Sequence, residues 1–163
     1  MRTYFDHENL DVYQLELRFV GWIATLLANI KQRPTDARIA GVSDQLDRAS
    51  LSSLLNIAEG NGRRRQRQTR AKFFDDARGS VTECAACLDA LVAKRICTTE
   101  ELQEGKEMLL RIASMLTKLI TLFDSASSSV VREESPEEKF EDEEEDENEN
   151  DPPDSEMRGR RHG

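Results

Sequence analysis

The chain has 163 residues, of which 34% are charged and only 6% aromatic, a balance that fits long amphipathic helices and argues against a sandwich or barrel. It contains no run of 18 apolar residues, which excludes a membrane-spanning helix, and it does not open on a charged segment followed by an apolar block, so no secretory signal is expected. The formal charge of −9 is unevenly spread: residues 126–163 hold 15 acids and 5 bases, whereas residues 1–125 hold 17 acids and 18 bases.

The pattern therefore divides the chain into a near-neutral body, 1–125, and an acidic tail, 126–163. Cys84, Cys87 and Cys97 are an odd number and make no disulfide framework, which suits a reducing, cytoplasmic setting.

Residues 1–8 read as a polar lead-in, and Asn9 as an N-cap. From Leu10 the residues Leu10, Tyr13, Leu17, Val20, Ala24 and Leu27 alternate steps of three and four, the stripe of a helix. A second stripe, Phe19, Ile23, Leu26 and Ile30, runs beside it. Gly21 costs roughly 1 kcal/mol against alanine and is read as a point of close helix approach. Pro34 ends this element near Gln32.

Thr35 or Asp36 caps a second helix with the stripe Ile39, Val42, Leu46, Ala49, Ser53 and Ile57. A further set, Leu51, Leu54, Leu55 and Ala58, lies beside it. The helix ends at Gly60 or Gly62, as glycine commonly ends helices. A third helix starts between residues 65 and 68, carries Phe73, Ala77, Val81, Cys84, Leu88 and Leu91, and ends near Arg95. Thr98 and Glu101 have capping-box spacing. They open a fourth helix with Leu102, Gly105, Leu109, Ile112, Leu116, Leu119 and Phe123, ending near Ser125.

Four helices with short connections fold most economically as an all-α, antiparallel up-down-up-down four-helix bundle. The second stripes exceed what one buried face needs. Phe19, Ile23, Leu26, Ile30, Leu51, Leu54 and Leu55 are accordingly expected to form a self-association interface.

Catalytic chemistry finds no foothold. The two histidines, His7 and His162, lie outside the expected helices, so neither a Ser-His-Asp nor a Cys-His arrangement is available. Nor is a Glu-x-x-His metal site. Cys84 and Cys87 have C-x-x-C spacing but sit mid-helix, where cysteine acts as a small hydrophobe. No enzyme activity, cofactor or metal is expected.

The remaining candidate is the basic run at residues 63–72. Arg63, Arg64, Arg65, Arg67, Arg70 and Lys72 are six bases in ten residues with no acid among them. Guanidinium forks match phosphate oxygens, and a helix start favours anions, so the run is read as a contact for nucleic-acid backbone rather than for bases. Residues 126–163 are too polar to order themselves and are expected to be disordered. They serve either as a solubilising appendage or as an intramolecular competitor for the basic run.

The stretch Asn56-Ile57-Ala58-Glu59-Gly60, followed by Gly62-Arg63-Arg64, resembles a bacterial four-helix-bundle family first noted in intervening sequences of 23S ribosomal RNA genes. Phe73-Phe74, Ala77-Arg78-Gly79-Ser80, Leu10-Asp11-Val12-Tyr13-Gln14 and the Gln45–Ser50 region are similar to further family segments, so the resemblance covers roughly residues 5–123. It implies an antiparallel bundle assembled into a ring, typically a homopentamer. Relatives include the accessory protein of diversity-generating retroelements, which implies nucleic acid and a reverse transcriptase as partners. Leu54-Leu55 departs from the family's Ile-Pro-Ser, and the acidic tail lies outside its pattern.

The combined expectation is a non-enzymatic, cytoplasmic homo-oligomer that binds RNA or DNA backbone, with no membrane partner. The alternative is a protein-interaction scaffold whose basic cluster is structural.

Overall fold

The computed structural model describes residues 4–32 and 39–132, with side chains described as far as residue 124. After a 3-10 turn at Asp6–Asn9 come four helices: α1 (Asp11–Lys31), α2 (Ala40–Gly62), α3 (Arg67–Ala93) and α4 (Thr99–Arg132). Among the described residues the fold is all-α, with no strand. The expected caps at Thr35 or Asp36, the Pro34 stop and the tail from residue 133 onward fall outside the described residues.

The helices close around one apolar core. Its largest fully buried members are Phe19, Phe74, Ile23, Ile30, Leu46, Ile57, Leu88, Leu91, Leu102, Ile112 and Leu116. Each such side chain is worth roughly 1.5–3 kcal/mol of transfer free energy. Along α2 and α3, Gly60 meets Phe74, Ser80 Oγ donates to Ser52 Oγ at 3.1 Å, and Gln45 Nε2 donates to Glu83 Oε1 at 2.9 Å. Along α3 and α4, Phe74 stacks on Phe123 with ring centroids 5.9 Å apart. Further along the same pair, Lys106 Nζ reaches the Ala85 carbonyl at 3.0 Å and Asp89 at 2.6 Å. Trp22 of α1 lies directly over Gly105 of α4, leaving no space for a β-carbon there.

The face that α1 buries corrects the sequence reading. Phe19, Ile23, Leu26 and Ile30, expected at an interface, are all buried inside the single chain, together with Val12 and Leu15. Leu17 and Ala24 of the expected core stripe face outward instead. The reason is packing: α2 and α4 close over the stripe of Phe19 and Ile23, while Leu10, Tyr13 and Leu27 of the competing stripe stay partly buried at its edge. On α2 the core stripe falls as expected from Leu46 to Ile57. Leu54 joins the core, while Leu51 and Leu55 remain 49% and 59% exposed.

Glycine roles shift as well. Gly21 has no neighbour to approach. Gly60 does not end α2; a β-carbon there would stand 2.9 Å from Phe74 Cε1 and 3.2 Å from Phe73 Cβ, so it is the notch that admits α3. The helix ends at Gly62. Asn9 is not the cap of α1: Leu10 holds that position without a side-chain cap. The capping box of α4 is present as read, with Thr98 N donating to Glu101 Oε2 at 2.8 Å and Glu101 N to Thr98 Oγ1 at 3.3 Å. The backbone of α4 continues to Arg132 rather than stopping near Ser125.

Candidate nucleic-acid interface

The basic run is a tight corner between two helices. Arg63 caps α2, its N–H reaching the Glu59 and Gly60 carbonyls at 3.2 and 3.3 Å. Gln66 N donates to the Arg63 carbonyl at 3.0 Å and closes a turn. The chain then enters α3 with Gln66 at the N-cap and Arg67 as the first helical residue, and Arg70 N makes an i to i−4 bond back to Gln66 at 2.8 Å.

Gln66 provides no side-chain cap, and the first turn of α3 has no acid. A helix start carries a partial positive charge and free N–H groups. This one is flanked by Arg67 and Arg70, so like charge is concentrated where the dipole least tolerates it. An anion would relieve both effects at once.

The six bases are not equivalent. Arg63 bonds Glu59 at 2.5 Å and its guanidinium lies 5.6 Å from the Phe73 ring centroid. Arg64 reaches Asp6 of the N-terminal turn at 2.6 Å. These pairs are about half exposed or more, so water competes with them and each holds its arginine by about 1 kcal/mol at most. A phosphate can replace such a partner.

Arg67 contacts the Leu122 carbonyl at 3.4 Å and the Phe123 ring at 5.7 Å. Arg65 and Lys72 are exposed and have no ion pair among the described residues. Arg70 is the exception. It is partly buried over Phe123, 4.2 Å from the ring centroid, and over Phe74 at 5.7 Å, and it donates to Asn61 Oδ1 at 2.9 Å. Burial, and then the charges of Arg64 and Arg67, pull it below the ordinary guanidinium range. Its Nε is buried with no hydrogen-bond partner among the described residues.

The structure thus gathers all six bases around one corner and divides them. Arg63, Arg64, Arg65, Arg67 and Lys72 present charge to solvent, while Arg70 braces the corner against α4. Asp6, Asn61, Leu122 and Phe123 belong to the same corner and were missed by sequence reading. Only Phe123, at the end of its helical stripe, carried a signal. The rings of Phe73, Phe74 and Phe123 each have an arginine guanidinium over one face.

A second polar feature lies at the opposite extreme of exposure. Glu16 of α1 is fully buried, and neither of its carboxylate oxygens has a hydrogen-bond partner among the described residues. Burial pushes its carboxyl up to about 8. The Ser53 hydroxyl of α2 pulls against that shift, although it stands outside ordinary hydrogen-bond geometry. Cys84 of α3 is buried nearby, and desolvation followed by the Glu16 charge raises its thiol. Cys87 is raised by burial as well. All three cysteines are buried and none is in a disulfide, and the thiols of Cys84 and Cys87 are both raised, so the C-x-x-C pair is poorly placed to form a reactive thiolate. Among the described residues no group of histidine, cysteine, aspartate and glutamate is arranged to hold a metal, and no helix is long and apolar enough to cross a membrane.

A family model described as "23S rRNA-intervening sequence protein" matches residues 8–118, which spans α1, α2, the corner, α3 and more than half of α4. Comparison with curated proteins gave no match.

Proposed function

The chain belongs to the 23S rRNA-intervening sequence protein family, and from that premise we propose that it is a non-enzymatic homo-oligomer that grips nucleic-acid backbone at the α2–α3 corner. The observation that carries this reading is the first turn of α3, which concentrates cations at a helix start and holds no acid. The helices run as an antiparallel up-down-up-down bundle. The opposite chain order of the pairs Gly60/Phe74 and Gln45/Glu83, and of Phe74/Phe123 and Ala85/Lys106, supports that topology.

Copies associate into a ring, a pentamer as in the resembling family. The apolar side chains left outward on α1 and α2, Leu17, Leu51 and Leu55, are the candidates for its seam. Repeating the corner around a ring sums its positive field. Arg63, Arg64, Arg65, Arg67 and Lys72 contact phosphates, and Arg70 sets their frame. The setting is the cytoplasm, and the work is that of an accessory to a nucleic-acid-processing enzyme such as a reverse transcriptase.

A scaffold reading has one observation in its favour: Arg63, Arg64, Arg67 and Arg70 all have internal contacts. Light-scattering mass of the purified full chain, with and without a short RNA or DNA, separates the two. An oligomer that gains the mass of the nucleic acid fits the proposal. An oligomer that ignores it fits the scaffold, and a monomer that ignores it contradicts the proposal.

A further inference from the structure

We propose that the basic corner is the docking place of this chain's own acidic segment, residues 141–147, which nucleic acid must displace. The inference rests on reading the corner as a polyanion site and adds its regulation.

Three observations meet. First, α4 passes directly beneath the corner. Phe123 stacks on Phe74 under Arg67 and Arg70, and the Leu122 carbonyl accepts from Arg67. Helix α4 ends nine residues later at Arg132, roughly 14 Å further on at 1.5 Å per residue. Second, residues 133–140 supply a connection that can span up to about 26–29 Å when extended. That is enough to turn back to the corner. Third, residues 141–147 are seven consecutive acids, and 133–163 as a whole hold 15 acids against four bases.

A tether of this length keeps the acidic run at an effective concentration on the order of millimolar. Arg65 and Lys72 have no ionic partner among the described residues, and the exposed pairs of Arg63 and Arg64 exchange readily. The helix start of α3 adds its free N–H groups. The other bases of the body are dispersed, whereas the corner holds six of the 18 within ten residues. Among the described residues it is the concentrated counter-charge that sequence and geometry place close to the start of the tail.

The test uses the full chain and a full-length variant carrying E141Q, D142N, E143Q, E144Q, E145Q, D146N and E147Q. A zero-length carboxyl-to-amine cross-linker, read by mass spectrometry, reports docking without nucleic acid. At low salt Lys72 should join to residues 141–147 far more often than Lys94, which lies at the other end of α3, and the excess should vanish at high salt and in the variant. Equal labelling of Lys72 and Lys94 overturns the docking.

Binding of a fluorescent 30-nucleotide single strand and of its duplex is then compared at low salt. The variant should bind at least about tenfold tighter, as expected when a tethered competitor is removed. Preferential Lys72 cross-links with unchanged affinity overturn the gating. Preferential cross-links with no binding by either form support the docking and defeat the nucleic-acid reading alone.

Discussion

Two polar regions of the molecule pose opposite problems. At the α2–α3 corner, six cations crowd together but remain near water, and three of them, Arg63, Arg64 and Arg67, have an exchangeable partner. In the core, the single carboxyl of Glu16 has lost its water and gained no hydrogen bond among the described residues. The first arrangement costs little and leaves charge available to a ligand. The second leaves no route to a ligand and acts on stability alone. Location relative to solvent, rather than the amount of charge, decides which of them can be a binding site.

The sharpest way to break this contrast is pH. The Glu16 carboxyl titrates near 8 in the folded chain and near 4.5 when unfolded. Its favourable contribution is complete below about 4.5. It declines as pH rises, because only the unfolded chain releases the proton, and it levels off above about 8. Between pH 6 and 8 this one group should cost about 2–3 kcal/mol of unfolding free energy. Urea denaturation of the chain and of Glu16→Gln should show that decline only in the former. Equal pH slopes would mean that Glu16 is hydrated in solution.

A smaller effect is expected within the corner itself. Arg70→Met removes the Asn61 bond and the contact with Phe123, and should destabilise the fold by about 1–2 kcal/mol. Arg65→Ala, at the exposed limit, should change stability by less than about 0.5 kcal/mol. Equal effects on the unfolding midpoint would erase the distinction between brace and contact.

An effect smaller than that at Arg70, and of opposite sign, lies at the other end of α3. Arg95 has φ 59°, while Ile96 N bonds back to the Leu91 carbonyl at 3.0 Å, in a left-handed helix ending that glycine adopts without strain. Arg95→Gly should therefore stabilise by up to about 1 kcal/mol. A loss of stability there would show that the arginine side chain has a role of its own.

Helix number and type were legible because the three-four spacing is long and regular in each element, and the Thr98–Glu101 box was legible because it is purely local. What could not be read was rotation about the helix axis. Two apolar stripes on α1 differ by little in sequence, and only packing against α2 and α4 selects Phe19 and Ile23 over Leu17 and Ala24. Glu16 shows the same limit: it lies three residues before Phe19 on the stripe that proved to be core, so choosing the other stripe hid a buried carboxyl. At the corner, the six bases were plain in sequence. Their division was not, because Phe123, Leu122 and Asp6 reach the corner from distant parts of the chain.

The most direct test of the central claim is the salt dependence of nucleic-acid binding by the full-length chain with its 141–147 run neutralised, before and after adding Arg65→Gln and Lys72→Gln. Affinity should fall steeply with salt, with a slope shallower by roughly 0.7–0.9 for each base removed and the unfolding midpoint unchanged. Binding that is insensitive to salt, or a slope that ignores both substitutions, would contradict it.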